Sequence, residues 1–153
     1  MLKKGDEAPG FNLKDQDDNE WSLEKLQGHK IVLYFYPADD TPGCTKESCD
    51  FRDSYADWQK AGYRVLGVSP QNTASKKRFA TKYDLPFPLL ADEDTAVAKA
   101  YDTVREKPDE WKGIPLHVRR STFVIDENGI IEQALYNVKA GQHVQALRES
   151  LEV

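Results

Sequence analysis

The stretch "KIVLYFYPADDTPGCTKESC", Lys30 to Cys49, decides how the rest of the chain is read. Its first part, Lys30 to Pro37, is an almost continuous apolar and aromatic run. Such a run suits a strand buried on both faces of a central sheet. A polar loop then leads to Thr41-Pro42, a good N-cap followed by a residue suited to the first helical position. The spacing predicts a helix from Pro42 to Ala61, with Phe51, Tyr55 and Trp58 along one face. The only two cysteines of the chain, Cys44 and Cys49, both fall at the start of this helix.

Working outward, Gly62 ends the helix in the usual C′ role, and "YRVLGVSP" from Tyr63 to Pro70 reads as a second buried strand. Thr73 to Tyr83 reads as a polar helix with Phe79 and Tyr83 on one face. "PFPLLAD" reads as a short extended link and Glu93 to Tyr101 as a short Ala-rich helix. Residues 102–120, with two prolines, a glycine and an exposed-looking Trp111, are expected to be the least regular part. "STFVIDENGIIEQALY" predicts a hairpin, Ser121 to Ile125 and Ile130 to Tyr136, turning at Glu127-Asn128-Gly129. Gln142 to Leu151 closes the chain as an amphipathic helix striped by Val144, Leu147 and Leu151. Strand–helix alternation first and a hairpin last imply a mixed sheet covered by helices on both faces. Among common folds this order fits thioredoxin-like, as one domain over residues 1–153.

The 153 residues suffice for a full core, and 39% apolar with 31% charged residues is ordinary for a globular chain. A net charge of −5 argues against a surface that tracks nucleic-acid phosphates. The longest unbroken apolar run, Ile31 to Tyr36, is too short to cross a bilayer. No apolar segment follows the basic pair of "MLKKGDEAPGF", so no signal peptide is expected. The expectation is a cytoplasmic protein, in which two close cysteines read as catalytic or metal-binding before they read as a structural bridge.

With Pro42 at N1, Cys44 falls at N3, facing unpaired backbone N–H groups and the positive end of the helix dipole. Both favour a thiolate. The dipole contributes only about 1 kcal/mol, so a fixed cation is needed to take the effect further. Arg119 and Arg120, directly before the Ser121 strand, are the candidates. Cys49 lies five residues on, where an ideal helix puts the two Cα atoms about 8.7 Å apart. A disulfide tolerates no more than about 7 Å. If the cysteines form a redox couple, the first turns must unwind. Three alternatives stay open on the residues alone. Cys49 could be a plain helix-face residue; the pair could serve thiol–disulfide exchange without peroxide; or both could join His29, His117 or His143 around a metal. Lone His117 reads as a surface or packing residue. The exchange reading expects Cys-x-x-Cys, whereas four residues intervene here. The metal reading lacks a second ligand pair.

At these residues the chain resembles the peroxiredoxins, and more closely their bacterioferritin comigratory protein, or peroxiredoxin Q, branch. The family's Pro-x-x-x-Thr-x-x-Cys pattern is matched by Pro37, Thr41 and Cys44, and the branch's second cysteine by Cys49. The family's arginine before an "F-x-I-D" strand is matched by Arg120 in "RSTFVID". The opening "GDEAPGFNLKDQD" and the late "VKAGQHV" extend the resemblance over nearly the whole chain. It implies a thiol peroxidase that reduces hydrogen peroxide and organic hydroperoxides. Cys44 would become a sulfenic acid, Cys49 would resolve it as an intramolecular disulfide, and thioredoxin or a similar reductant would recycle it. Arg120 would stabilise the thiolate and the developing charge, Thr41 would position the peroxide, and Pro37 would shield the pocket. No metal, haem, flavin or other cofactor is implied. With no C-terminal cysteine for a bond between subunits, a monomer or at most a weak homodimer is expected.

Overall fold

The central strand of the computed structural model, which describes residues 1–153, is β3 (Lys30–Phe35), and every one of its residues after Lys30 is buried. Side chains alternate across a strand with a period of two. Ile31, Leu33 and Phe35 therefore enter one core cluster, while Val32, Tyr34 and Tyr36 enter the other. β4 (Tyr63–Ser69) and β5 (Leu89–Ala91) run parallel to it, β8 (Ser121–Ile125) runs antiparallel to it, and β9 (Ile131–Leu135) runs antiparallel to β8, in the order β5-β4-β3-β8-β9.

Helices cover both faces of this mixed sheet. One face carries α1 (Pro42–Asp53), α2 (Tyr55–Lys60), α3 (Thr73–Tyr83) and α5 (His143–Leu151), which contribute Phe51, Trp58, Phe79, Val144 and Leu147 to the core. The other is covered by α4 (Ala96–Ala100), supplying Val97 and Ala98, and by Ala8, Phe11 and Leu26 of the N-terminal segment.

Four details depart from the expectations. The helix expected to run from Pro42 to Ala61 is two helices, because the Ser54 hydroxyl donates back to the Asp50 carbonyl at 2.8 Å and the backbone leaves helical geometry there. Trp58 Nε1 donates to the same hydroxyl at 3.0 Å, so Phe51 and Trp58 stay buried side by side across the break. Residues 102–120, expected to be the least regular part, hold a hairpin of β6 (Val104–Trp111) and β7 (Ile114–Val118), with a shift of register between Val104 and Asp109. Its turn residues, Lys112 and Gly113, both have positive φ, at 48° and 82°. That is the requirement of a tight two-residue hairpin loop. The mostly exposed strands carry no apolar alternation that would announce them. The "PFPLLAD" link contains the edge strand β5, and β1 (Asn12–Lys14) pairs with β2 (Glu20–Ser22) in a hairpin of its own.

Candidate active site

The loop from Pro37 to Thr41 leaves the carboxyl end of β3, the end at which open α/β sheets gather their sites. Helix α1 begins at Pro42, which puts Cys44 at N3 with only 1% of its surface exposed. β8 runs antiparallel to β3 with Ser121 opposite Phe35, so the preceding residue, Arg120, arrives beside the loop. Its Nη2 donates to Cys44 Sγ at 3.3 Å and its Nη1 to Glu47 Oε1 at 2.8 Å. Arg119, one residue earlier, turns the other way. Its Nη2 donates to the Asp102 carbonyl at 2.5 Å, and its guanidinium lies over the Tyr136 ring.

Gly43 makes the approach of Arg120 possible. A Cβ there would lie 2.9 Å from Arg120 Nη2 and 3.6 Å from Ala140 Cβ. Thr41 occupies the N-cap position, but its hydroxyl does not cap the helix; it donates to the Ala38 carbonyl at 2.9 Å and so closes the loop on itself. Pro37 is buried, and its carbonyl accepts from Gln71 Nε2 at 3.3 Å.

Glu47 is a site residue that the sequence reading missed, and His143, considered there only as a metal ligand, belongs to the site through Glu47 and Thr122. Glu47 is fully buried; its Oε2 has no hydrogen-bond partner and lies 4.0 Å from His143 Nε2, which in turn is 2.7 Å from Thr122 Oγ1. Burial, only partly offset by Arg120, pushes the Glu47 carboxyl up to about 7. Burial and then the Arg120 charge push His143 down to about 4, leaving a neutral imidazole. Arg120 itself keeps its charge: burial works against it, but Glu47 and Cys44 together outweigh that and raise it further. A signal existed. Glu47 stands three residues from Cys44, on the same face of the helix.

Behind the loop lies a second polar knot. Lys76 is fully buried and reaches Asp39 Oδ1 at 3.3 Å, Tyr36 Oη at 3.4 Å and the Ser69 hydroxyl. Burial pulls its ammonium down to about 8 against the opposing pull of Asp39. Asp39 also accepts from Tyr36 at 2.5 Å and from Ser75 at 2.7 Å, so the loop is tied to β3, β4 and α3 at once.

Cys49 lies on α1 as well, half-buried and unpaired, as Cys44 is. Burial raises its thiol, with Arg52 opposing. Both cysteines sit in one unbroken helical run. His117 is exposed and His29 lies outside the site, so only His143 of the three histidines belongs to it.

A thiol at a helix N-terminus beneath a half-buried guanidinium, on a sheet of this order, defines a thioredoxin-like thiol protein. The AhpC/TSA family model matches residues 4–134. A Mycobacterium tuberculosis protein with a provisional peroxiredoxin name is 47% identical over 152 residues, covering 99% of this chain and 96% of its own. Wheat chloroplastic peroxiredoxin Q is 48% identical over 141 residues; the match covers 89% of this chain and 59% of the plant protein. Among solved structures, peroxidoxin BcpB of M. tuberculosis superposes with a TM-score of 0.87 at 30% identity, covering 99% of this chain and 97% of its own. Peroxiredoxin Q of Xanthomonas campestris does so with 0.84 at 35%, covering 93% and 90%. The chain belongs to the AhpC/TSA family, in its bacterioferritin comigratory protein and peroxiredoxin Q branch, and is a thiol-dependent peroxidase. No helix is long and apolar enough to cross a membrane.

Proposed function

We propose that Cys44 is the peroxide-reacting thiolate, that Cys49 resolves its oxidised form, and that thioredoxin or a similar dithiol closes the cycle. The observation that carries this reading is Arg120 Nη2 at 3.3 Å from Cys44 Sγ, a fixed cation at the first turn of a helix. The Cys44 thiolate attacks the terminal oxygen of a hydroperoxide and the O–O bond breaks. The departing oxygen takes a proton and leaves as water or an alcohol, and Cys44 holds the sulfenic acid. Arg120 faces the negative charge both before and during transfer, and in a buried site such a preplaced donor acts more strongly than it would in water. Thr41 and Pro37, as buried parts of the loop, shape and dry the pocket.

Resolution follows when the Cys49 sulfur attacks the Cys44 sulfur. The S–S bond forms, the S–O bond breaks, and the hydroxyl leaves as water with the Cys49 proton. While α1 is helical the Cα atoms are about 8.7 Å apart, beyond the roughly 7 Å limit of a disulfide. The turns from Pro42 to Cys49 therefore open first, which also brings Cys49 into water. A dithiol then returns two electrons. Because the bond is intrachain, a monomer suffices for the whole cycle.

Rapid mixing of the reduced protein with hydrogen peroxide, with thiols counted over time, tests this reading. Fast loss of two thiols per chain is expected, and none in Cys44→Ser. Cys49→Ser should react once and stall as a sulfenic acid that can be trapped. Thiol loss no faster than that of a free cysteine would overturn the assignment.

A further inference from the structure

Between the two cysteines lies a buried hydrogen bond that neither the chemistry at Cys44 nor the resolving step uses. Ser48 and Tyr34 are both fully buried, and their hydroxyls share a hydrogen bond of 2.8 Å. Ser48 directly precedes Cys49 on α1, whereas Tyr34 is on β3 in the middle of the sheet. The Tyr34 ring cannot follow Ser48 if the helix opens. It is stacked on Phe51 at 4.8 Å and on Tyr36 at 5.5 Å, with the edge of Phe87 at 6.1 Å. β4 is indented to receive it: a Cβ on Gly67 would lie 2.8 Å from both Tyr34 Cζ and Oη. Phe51, also fully buried, pins the later turns of α1 to the same stack, so opening is confined to the turns before it.

We propose that the Tyr34–Ser48 hydrogen bond is a latch on the first turns of α1, setting the rate of disulfide formation and with it the peroxide concentration at which Cys44 overoxidises. This rests on the reading of Cys49 as the resolving thiol. When the helix opens, Ser48 exchanges its partner for water, but the Tyr34 hydroxyl stays in the core and loses its own. A buried hydroxyl without a partner is costly, so the latch penalises the open form specifically. A sulfenic acid held in the closed helix meets a second hydroperoxide. The sulfur then takes another oxygen, the second O–O bond breaks, and a sulfinic acid forms with release of water or an alcohol. Sulfinic acid is not returned by a dithiol. A slower opening therefore shifts the partition toward overoxidation.

Ser48→Ala and Tyr34→Phe each remove the bond, and neither residue takes part in the first oxidation. Both variants are expected to lose the first thiol at the wild-type rate. Both should form the disulfide about tenfold faster, toward the lower end of the range for a buried hydroxyl deprived of its partner. Mass spectrometry at rising peroxide should then show sulfinic acid at Cys44 only at about tenfold higher concentration. Tyr34→Phe keeps the aromatic stack, so it carries the test if Ser48→Ala does not fold, as a lost first oxidation would reveal. The double variant should be no faster than the single ones, since all three lack the same bond. Disulfide formation at or below the wild-type rate in a variant whose first oxidation is intact overturns the latch. A wild-type protein that forms no intrachain disulfide overturns instead the reading of Cys49 on which it rests.

Discussion

The two faces of the central sheet are built from the same strands but on different terms. On one, Phe123 of β8 sits among Phe35, Tyr101 and Tyr136, with ring centroids 5.0 to 5.7 Å away, in an almost wholly apolar cluster. On the other, under α1, the apolar cluster is crossed by buried polar ties: Arg120 to Cys44 and Glu47, Tyr34 to Ser48, Thr122 to His143, and Lys76 to Asp39. Apolar burial is non-directional and roughly additive in area. Polar ties are directional, and each leaves a cost behind when broken. The apolar face is built to hold the fold, and the polar face to hold a reactive geometry and then release it.

Substitutions can break or sharpen this contrast, beginning with the largest effect. Cys44→Ser should abolish peroxide consumption in a steady-state assay coupled to a dithiol, with the fold retained by circular dichroism. Arg120→Met should slow the first oxidation by about 10²–10³, the usual cost of losing one preplaced donor at a developing negative charge; stopped-flow kinetics on the single-turnover reaction checks this. Phe123→Ala belongs to the other face. It should cost about 3–5 kcal/mol of stability in denaturant titrations, yet leave the oxidation rate of the folded protein unchanged. A rate that fell with it would erase the distinction between the faces. Gly43→Ala displaces the Arg120 guanidinium slightly and should slow oxidation by about tenfold, because even small misplacements of a positioned group are expensive.

The smallest effect concerns pH and requires its sign. Glu47 is raised to about 7 in the folded protein from an ordinary 4.5, so between those values the folded state holds a proton that the unfolded state has lost. Its contribution therefore falls as pH rises from 4.5 to 7. His143 is lowered to about 4 from 6.5, so its contribution rises with pH from 4 to 6.5. The two oppose each other across nearly one window. Relative to wild type, Glu47→Gln should make stability climb more steeply from pH 4.5 to 6.5, and His143→Asn should make it climb less or fall. Chemical denaturation at stepped pH measures both, and changes of slope from wild type that have the same sign in the two variants would refute the opposition.

Much of this could be read from the sequence because it is local. The run Ile31 to Tyr36 announces a buried strand, and Thr41-Pro42 announces the helix that carries Cys44 at N3. What was not legible depends on partners far along the chain. Glu47 in "TKESC" reads as a solvated helix residue until Arg120, 73 positions later, is placed beside it. Ser48 and Tyr34 meet only because β3 underlies α1, and Lys76 in a run of three basic residues reads as surface although it is fully buried. The break at Ser54 was hidden because Phe51, Tyr55 and Trp58 keep helical spacing across it. The β6–β7 hairpin was hidden for the opposite reason, since its exposed strands bury too little to impose a pattern.

The central claim is that α1 holds the two cysteines apart until it opens. Amide hydrogen exchange across residues 42–53 tests it most directly, comparing the reduced protein with protein oxidised by one equivalent of peroxide. Strong protection through the segment is expected in the reduced form, and loss of protection from about Cys44 to Cys49 once the Cys44–Cys49 bond has formed, with the sheet unchanged. A helix that stays protected in a protein shown by mass spectrometry to carry that disulfide would contradict it.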